Sequence, residues 1–219
     1  RLGDQESASI FKKTLKTFNG PLPEREIAPK PIVTKVKTQG RATSIVKNNE
    51  RSKRLNPELL MIKNVGGGPQ ERRSLISFDI SSVDFDSIQS VKLGMKMIPT
   101  GMGFATRLPV MNSFAIYGVT EPDQENWTLD TLWEDAPKLE DAIHLDSVTV
   151  RRSRQDKYLA FTGETLLDFL KADADGIVSI IIARETGQID GSGPGLVHAF
   201  ASDAHPEASG PVLRFYSSK

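Results

Sequence analysis

The 219-residue chain is 38% hydrophobic and 26% charged, which is globular rather than disordered composition, and no stretch approaches the ~20 apolar residues of a bilayer span. It has no cysteine, so disulfides, thiolate zinc sites and cysteine nucleophiles are excluded. Net charge is zero, but residues 1–54 carry 13 Lys/Arg against 5 Asp/Glu, leaving 15 of the 28 bases and 23 of the 28 acids to the remainder; the basic portion reads either as a surface for a polyanion or as a solvated leader.

The chain opens at Arg1 and reads as a fragment of a larger precursor. Residues 1–37 read as leader and linker. Ser7 to Phe18 suits a short helix with Ile10, Phe11, Leu15 and Phe18 on one face, stopped by Asn19-Gly20. Pro21, Pro23, Pro29 and Pro31 follow in a polar setting. From Thr38 the pattern becomes a series of short runs separated by turns. Leu59 to Ile62 is the first firm strand. Arg73 to Ile80 and Val91 to Met97 alternate with period two, placing Ile76, Phe78, Ile80, Val91, Leu93 and Met95 on buried faces. Phe114 to Val119, Val148 to Val150 and Tyr158 to Phe161 continue the series. A helix is expected over Glu164 to Ala172, with Leu166, Leu167, Phe169 and Leu170 supplying its apolar face. Ile177 to Ala183, Leu196 to Phe200 and Val212 to Tyr216 complete the list. Turns are marked by Gly66-Gly67-Gly68-Pro69, Thr100 to Gly103 and Ile189 to Gly195. This composition predicts an all-β antiparallel sandwich with one short helix over residues 38–219.

Catalytic signatures are lacking. The glycine clusters lack the Lys-Ser/Thr of a phosphate loop, and there is no Gly-x-Ser-x-Gly elbow. His144, His198 and His205 do not share metal-ligand spacing. No cofactor is implied. A structural Ca²⁺ site is compatible with Asp84, Asp86, Asp173, Asp175, Asp190 and Asp203, which lie near turns; the DADG at Asp173 to Gly176 reads as a helix stop. Trp127 and Trp133, both in one segment, read as packing residues.

The basic residues around the first strands carry the strongest binding signal. Lys47, Arg51, Lys53 and Arg54 precede Leu59, Lys63 follows Ile62, and Arg72 and Arg73 enter the next strand. On adjacent strands such side chains can form a cationic strip. Arg offers a planar fork for a carboxylate and Lys a point charge. Tyr158 adds a ring on which a sugar could stack. Ordinary surface charge is the alternative.

Several segments in order resemble a known family: RRSLISFDIS (Arg72 to Ser81), VKLGMKM, FAIYGV, NWTLDTLWEDAP (Asn126 to Pro137), GIVSIIIARETG (Gly176 to Gly187) and HAFASDAHPEASGPVLRF (His198 to Phe215). The set is similar to the DNRLRE-type domain, a jelly-roll carbohydrate-binding family, over about residues 40–217. The closing segment departs from that pattern, reading Ser202-Asp203-Ala204 where an acidic residue is usual at the third place. The resemblance implies a secreted or cell-surface module tethered to other domains. It also implies an acidic polysaccharide such as alginate as partner, held by basic residues near the first strands. Three readings follow: a non-catalytic binding module, a structural or adhesive spacer, and a polysaccharide lyase or glycosidase. Neither a nucleic-acid partner nor membrane insertion is expected.

Overall fold

The computed structural model describes residues 32–48, 56–154, 157–189 and 195–217. They form eleven strands and one α-helix: β1 (Ile32–Lys37), β2 (Ala42–Val46), β3 (Leu59–Ile62), β4 (Arg72–Asp79), β5 (Ile88–Ile98), β6 (Met111–Gly118), β7 (Ile143–Arg151), β8 (Tyr158–Thr162), α1 (Glu164–Ala172), β9 (Ile177–Arg184), β10 (His198–Ala201) and β11 (Val212–Ser217). The expected helix at Ser7 to Phe18 and the turn residues 190–194 lie outside the described residues.

The strands make two antiparallel sheets. Eight of them run in the orders β1-β11-β5-β8 and β4-β9-β6-β7, the double Greek-key arrangement of a jelly roll. β2 extends the second sheet beyond β4, and β3 joins the first through β10. β10 and β11 run in the same direction along one edge of β5. Phe200 faces Met97, and after an excursion through 202–211 Val212 faces Gly94. The other edge of β5 belongs to β8, with Leu93 opposite Phe161.

Alternation decides which side chains are buried. Along β5, Val91, Leu93, Met95 and Met97 point inward against Ile116, Val178, Ile180 and Ile182 of the second sheet. Each such burial stabilises by roughly 1.5–3 kcal/mol. Ile76, Phe78, Ile80, Val91, Leu93 and Met95, expected inward from the sequence, are all buried, and Leu167 is partly buried and packs on the same core. α1 adds Leu166 and Leu170 to that core, and Phe169 lies so close on Gly118 that a β-carbon there would collide with its ring.

The sandwich starts before Thr38. β1 pairs with β11 from Ile32↔Ser217 to Lys37↔Val212. Its sequence, IVTKVK, alternates, but as an edge strand it buries Val36 alone, so the prolines before it dominate a linear reading. β2 is likewise short, pairing with β4 from Ala42↔Ile76 to Val46↔Arg72.

The outer face of the second sheet carries a further apolar layer. Ile45, Leu75 and Ile181 pack beneath Val119, Trp127 and Ala136, with Trp133 and Leu139 alongside. The segment between β6 and β7 thus lies over that face, and both tryptophans are packing residues, as expected. Trp127 Nε1–H donates to Ser179 Oγ at 3.0 Å.

Candidate functional site

Among the described residues, the basic residues expected to bind do not share one surface. Arg51, Lys53 and Arg54 lie outside the described residues. Lys47 Nζ donates to the carbonyl of Gly67 at 2.6 Å. Lys63 is buried and donates to Gln70 Oε1 at 2.9 Å. Both therefore brace the β3–β4 loop. Lys63 and Arg72 form a backbone bridge at the base of that loop. Arg73 follows on the opposite side of β4 and lies over the Trp133 ring, 4.7 Å from its centroid. Burial there holds its guanidinium below its ordinary pKa. Tyr158 stands on the other sheet.

That other sheet presents the surface best suited to a ligand. The inward set of β5, β8, β11 and β1 fixes the outward set by period two. Outward are Val33, Lys35 and Lys37 on β1, Val212, Arg214 and Tyr216 on β11, Ser90, Lys92, Gly94 and Lys96 on β5, and Tyr158, Ala160 and Thr162 on β8. These positions hold five cations, two tyrosines and no carboxylate. Lys35, Arg214, Lys92 and Thr162 form one row across the four strands, with neighbours ~4.8 Å apart.

Tyrosine rings order this row. Tyr158 reaches diagonally across β5, its hydroxyl accepting a hydrogen bond from Arg214 Nη1. Its path runs over Gly94, where any β-carbon would overlap the Tyr158 hydroxyl and ring and crowd Arg214. The ring therefore lies down on the sheet, 48% exposed. Arg214 stands 5.5 Å from its centroid, and Lys92 Nζ lies 5.9 Å from that of Tyr216. Both contacts are cation–π interactions. Like charges in adjacent strands are unfavourable, and the tyrosines offset part of that.

Three other polar groupings differ in kind. On the outer face of the second sheet, Glu185 accepts from Ser113 Oγ at 2.7 Å, Tyr117 Oη at 3.1 Å and Ser147 Oγ at 3.2 Å. These bonds hold its carboxyl below the usual range against the opposing effect of burial. His144 Nε2 lies 2.8 Å from the same Ser147 hydroxyl. With the Ser147 proton committed to Glu185, His144 is a donor and not its base, unlike a serine nucleophile's histidine. Tyr117 is pushed up to about 12 by burial and by Glu185, which removes it as a base near neutral pH.

At one end of the sandwich Arg184 is 2% exposed. It donates to the carbonyls of Thr186 (3.0 Å), Leu196 (2.8 Å) and Asn64 (3.2 Å) and to His198 Nδ1 (3.0 Å). Burial lowers the Arg184 pKa to about 10 and, with Arg184 beside it, that of His198 to about 3. His198 is thus a neutral buried acceptor. The pair fastens the β3–β4 loop to the two ends of the β9–β10 connection.

Glu125, Asp173 and Asp175 each offer a carboxylate oxygen within 4.8 Å of the others and are the described residues that could meet a cation. Each accepts a backbone hydrogen bond: Ser179 N–H to Glu125 (2.8 Å), Gly176 N–H to Asp173 (2.6 Å) and Ile177 N–H to Asp175 (2.8 Å). Burial first, and then the neighbouring carboxylates, raises Glu125 and Asp173. Asp173 and Asp175 thus serve their own turn, while Glu125 reaches across to β9.

Of the residues on this face the sequence reading named Tyr158, and it did not name Lys35, Lys37, Lys92, Lys96, Arg214 or Tyr216. The alternation of VKLGMKM already places both of its lysines on the face opposite the core. No protein-family model matches the chain, and no curated protein matches it at a significant level.

Proposed function

We propose that this jelly-roll domain is a non-catalytic carbohydrate-binding module for acidic polysaccharides, uronate-rich or sulfated and alginate-like chains included, working as a tethered part of a larger secreted or surface protein. The observation that carries this reading is the outward row Lys35–Arg214–Lys92, flanked by the reclining Tyr158 and by Tyr216, on a face whose outward positions hold no carboxylate. Cross-strand spacing of ~4.8 Å is comparable to the length of one pyranose ring in an extended chain, so successive sugar anions can meet successive cations. The Arg214 fork matches a carboxylate or sulfate. The Tyr158 face supplies an apolar platform for a sugar ring. The ordered segments that resemble the DNRLRE-type domain support the same reading. No grouping of His, Tyr and carboxylate described above has the geometry of a hydrolase or lyase centre.

Affinity electrophoresis against acidic and neutral polysaccharides at two salt concentrations tests this. Retardation by an acidic glycan is expected, weakened by salt because exposed charges are screened over ~8–10 Å at physiological ionic strength. Arg214→Ala and Tyr158→Ala should each weaken it about tenfold, equivalent to ~1.4 kcal/mol. Failure of every acidic glycan to bind would leave the spacer reading in its place.

A further inference from the structure

A second surface lies at the end of the sandwich where the β5–β6, β7–β8 and β9–β10 connections meet. Eleven large hydrophobic side chains stand out among the described residues, and five of them gather here: Met102, Phe104, Val110, Met111 and Ile189. Phe104 is 61% exposed and Ile189 65%. Backbone bonds join their loops: Ile189 N–H to Arg107 O (3.0 Å), Leu196 N–H to Phe104 O (3.2 Å), Val197 N–H to Met102 O (2.8 Å) and Arg152 N–H to Val110 O (2.9 Å). Beneath them the buried Arg184 ties Asn64, Thr186 and Leu196 into one base. The apolar tips are held by this framework.

The charge around them has one dominant sign. Met111 stands opposite Arg151 in the β6–β7 register. Arg151, Arg154 and Lys157 are exposed. Arg152 binds the carbonyl of Leu108 at 2.7 Å, and Lys157 lies beside Met97 at the start of the Phe104 loop. The two described acids at this end are occupied: Glu71 is buried and accepts from the Val65 and Gly67 amides, and Glu185 turns to Ser113, Tyr117 and Ser147. Asp156 and Asp190 lie outside the described residues. The two concavities of about 600 Å³ are lined elsewhere, one by β2, residues 129–132 and 202–204, the other by residues 39–41, 122–129, 175 and 177. This end thus offers exposed apolar tips beside arginines and a lysine, and neither concavity opens there.

We propose that this end docks on the surface of an anionic phospholipid bilayer, Phe104, Ile189, Met102 and Val110 entering the headgroup boundary while Arg151, Arg154 and Lys157 meet lipid phosphates. Apolar side chains at the interface supply burial, and surface cations add electrostatic attraction to an anionic leaflet. The docking is peripheral: no helix among the described residues is long and apolar enough to cross a membrane. It is independent of the glycan face, because none of these residues belongs to the Lys35–Arg214–Lys92 row.

Sedimentation of the full chain with vesicles tests it, using phosphatidylcholine alone and phosphatidylcholine with phosphatidylglycerol. Binding is expected to the anionic vesicles and to weaken with salt. The double variant Phe104→Ser/Ile189→Ser should lower it roughly tenfold or more, and Arg151→Glu/Arg154→Glu by a similar factor. Both pairs change exposed side chains, so melting temperature should hold, and glycan binding should be unchanged. No binding to anionic vesicles, or binding indifferent to both double variants, overturns the proposal. So does concentration-dependent self-association that Phe104→Ser/Ile189→Ser abolishes while vesicles stay unbound, which would assign the tips to a protein contact.

Discussion

Replacing His198 by Gln should flatten the acid side of the stability curve. His198 is 4% exposed and accepts from Arg184 Nη1 through Nδ1. Its folded pKa is about 3 against an ordinary 6.5. Above pH 6.5 neither state binds the proton and the group contributes nothing to pH dependence. Below 6.5 the unfolded chain takes it up and the folded chain does not, so stability falls as pH falls, until the folded pKa is reached. The slope approaches about 1.4 kcal/mol per pH unit. By pH 4.5 the loss is on the order of 3 kcal/mol, or a fall in melting temperature of roughly 6–12 °C for a domain of this size. Gln has a similar shape and its Oε1 can accept from Arg184, but it does not titrate. Urea denaturation at pH 7.5, 6, 5 and 4.5 would give both curves. The carboxylates contribute equally to parent and variant, so the difference between the slopes isolates His198. Parallel slopes between pH 6.5 and 4.5 would refute the assignment of a neutral, buried histidine.

Other outcomes follow from the packing. Leu93→Asp, at a fully buried position in the middle of β5, should abolish the folded state, since burying an isolated carboxylate costs far more than a domain's margin of roughly 5–15 kcal/mol; circular dichroism of the purified variant would read it. Glu125→Gln should raise the melting temperature at pH 7 by removing one of three converging charges, an effect on the order of 0.5 kcal/mol. Because the folded pKa of Glu125 is raised, that gain should fade as pH falls through it, which calorimetry at pH 7 and pH 4 would detect. Gly94→Val suits a strand yet occupies the seat of Tyr158. It should therefore leave the melting temperature within a few degrees while glycan retardation drops about as far as with Tyr158→Ala.

The sandwich was legible because alternation is a local signal: VKLGMKM and RSLISFDI each state which side faces the core. The helix was legible from Leu166, Leu167, Phe169 and Leu170. β1 was not, because an edge strand that buries only Val36 leaves little apolar trace. The outward face was half legible. Each strand declares its outward residues, but Lys35, Lys92 and Arg214 become neighbours only through the strand order β1-β11-β5, which long-range pairing sets. The basic residues near the first strands drew attention by density along the chain. In space, Lys47 and Lys63 spend their ammonium groups on a loop carbonyl and on Gln70, and Arg73 on an indole ring. Density of charge along a sequence says little about which charges the fold consumes.

The pairing of β1 with β11 sets how the domain carries load. Ile32 and Ser217 sit opposite each other at one end of that ladder. Tension applied through chain on both sides would pull across the strands and open their hydrogen bonds one pair at a time, like a zip. A ladder loaded along its strands, with the two points of attachment at opposite ends, must break its bonds together and resists far greater force. A domain attached through Ile32 and Ser217 is therefore suited to hang from one point of a larger assembly and present a face outward, and poorly suited to serve as a link in a tether under tension.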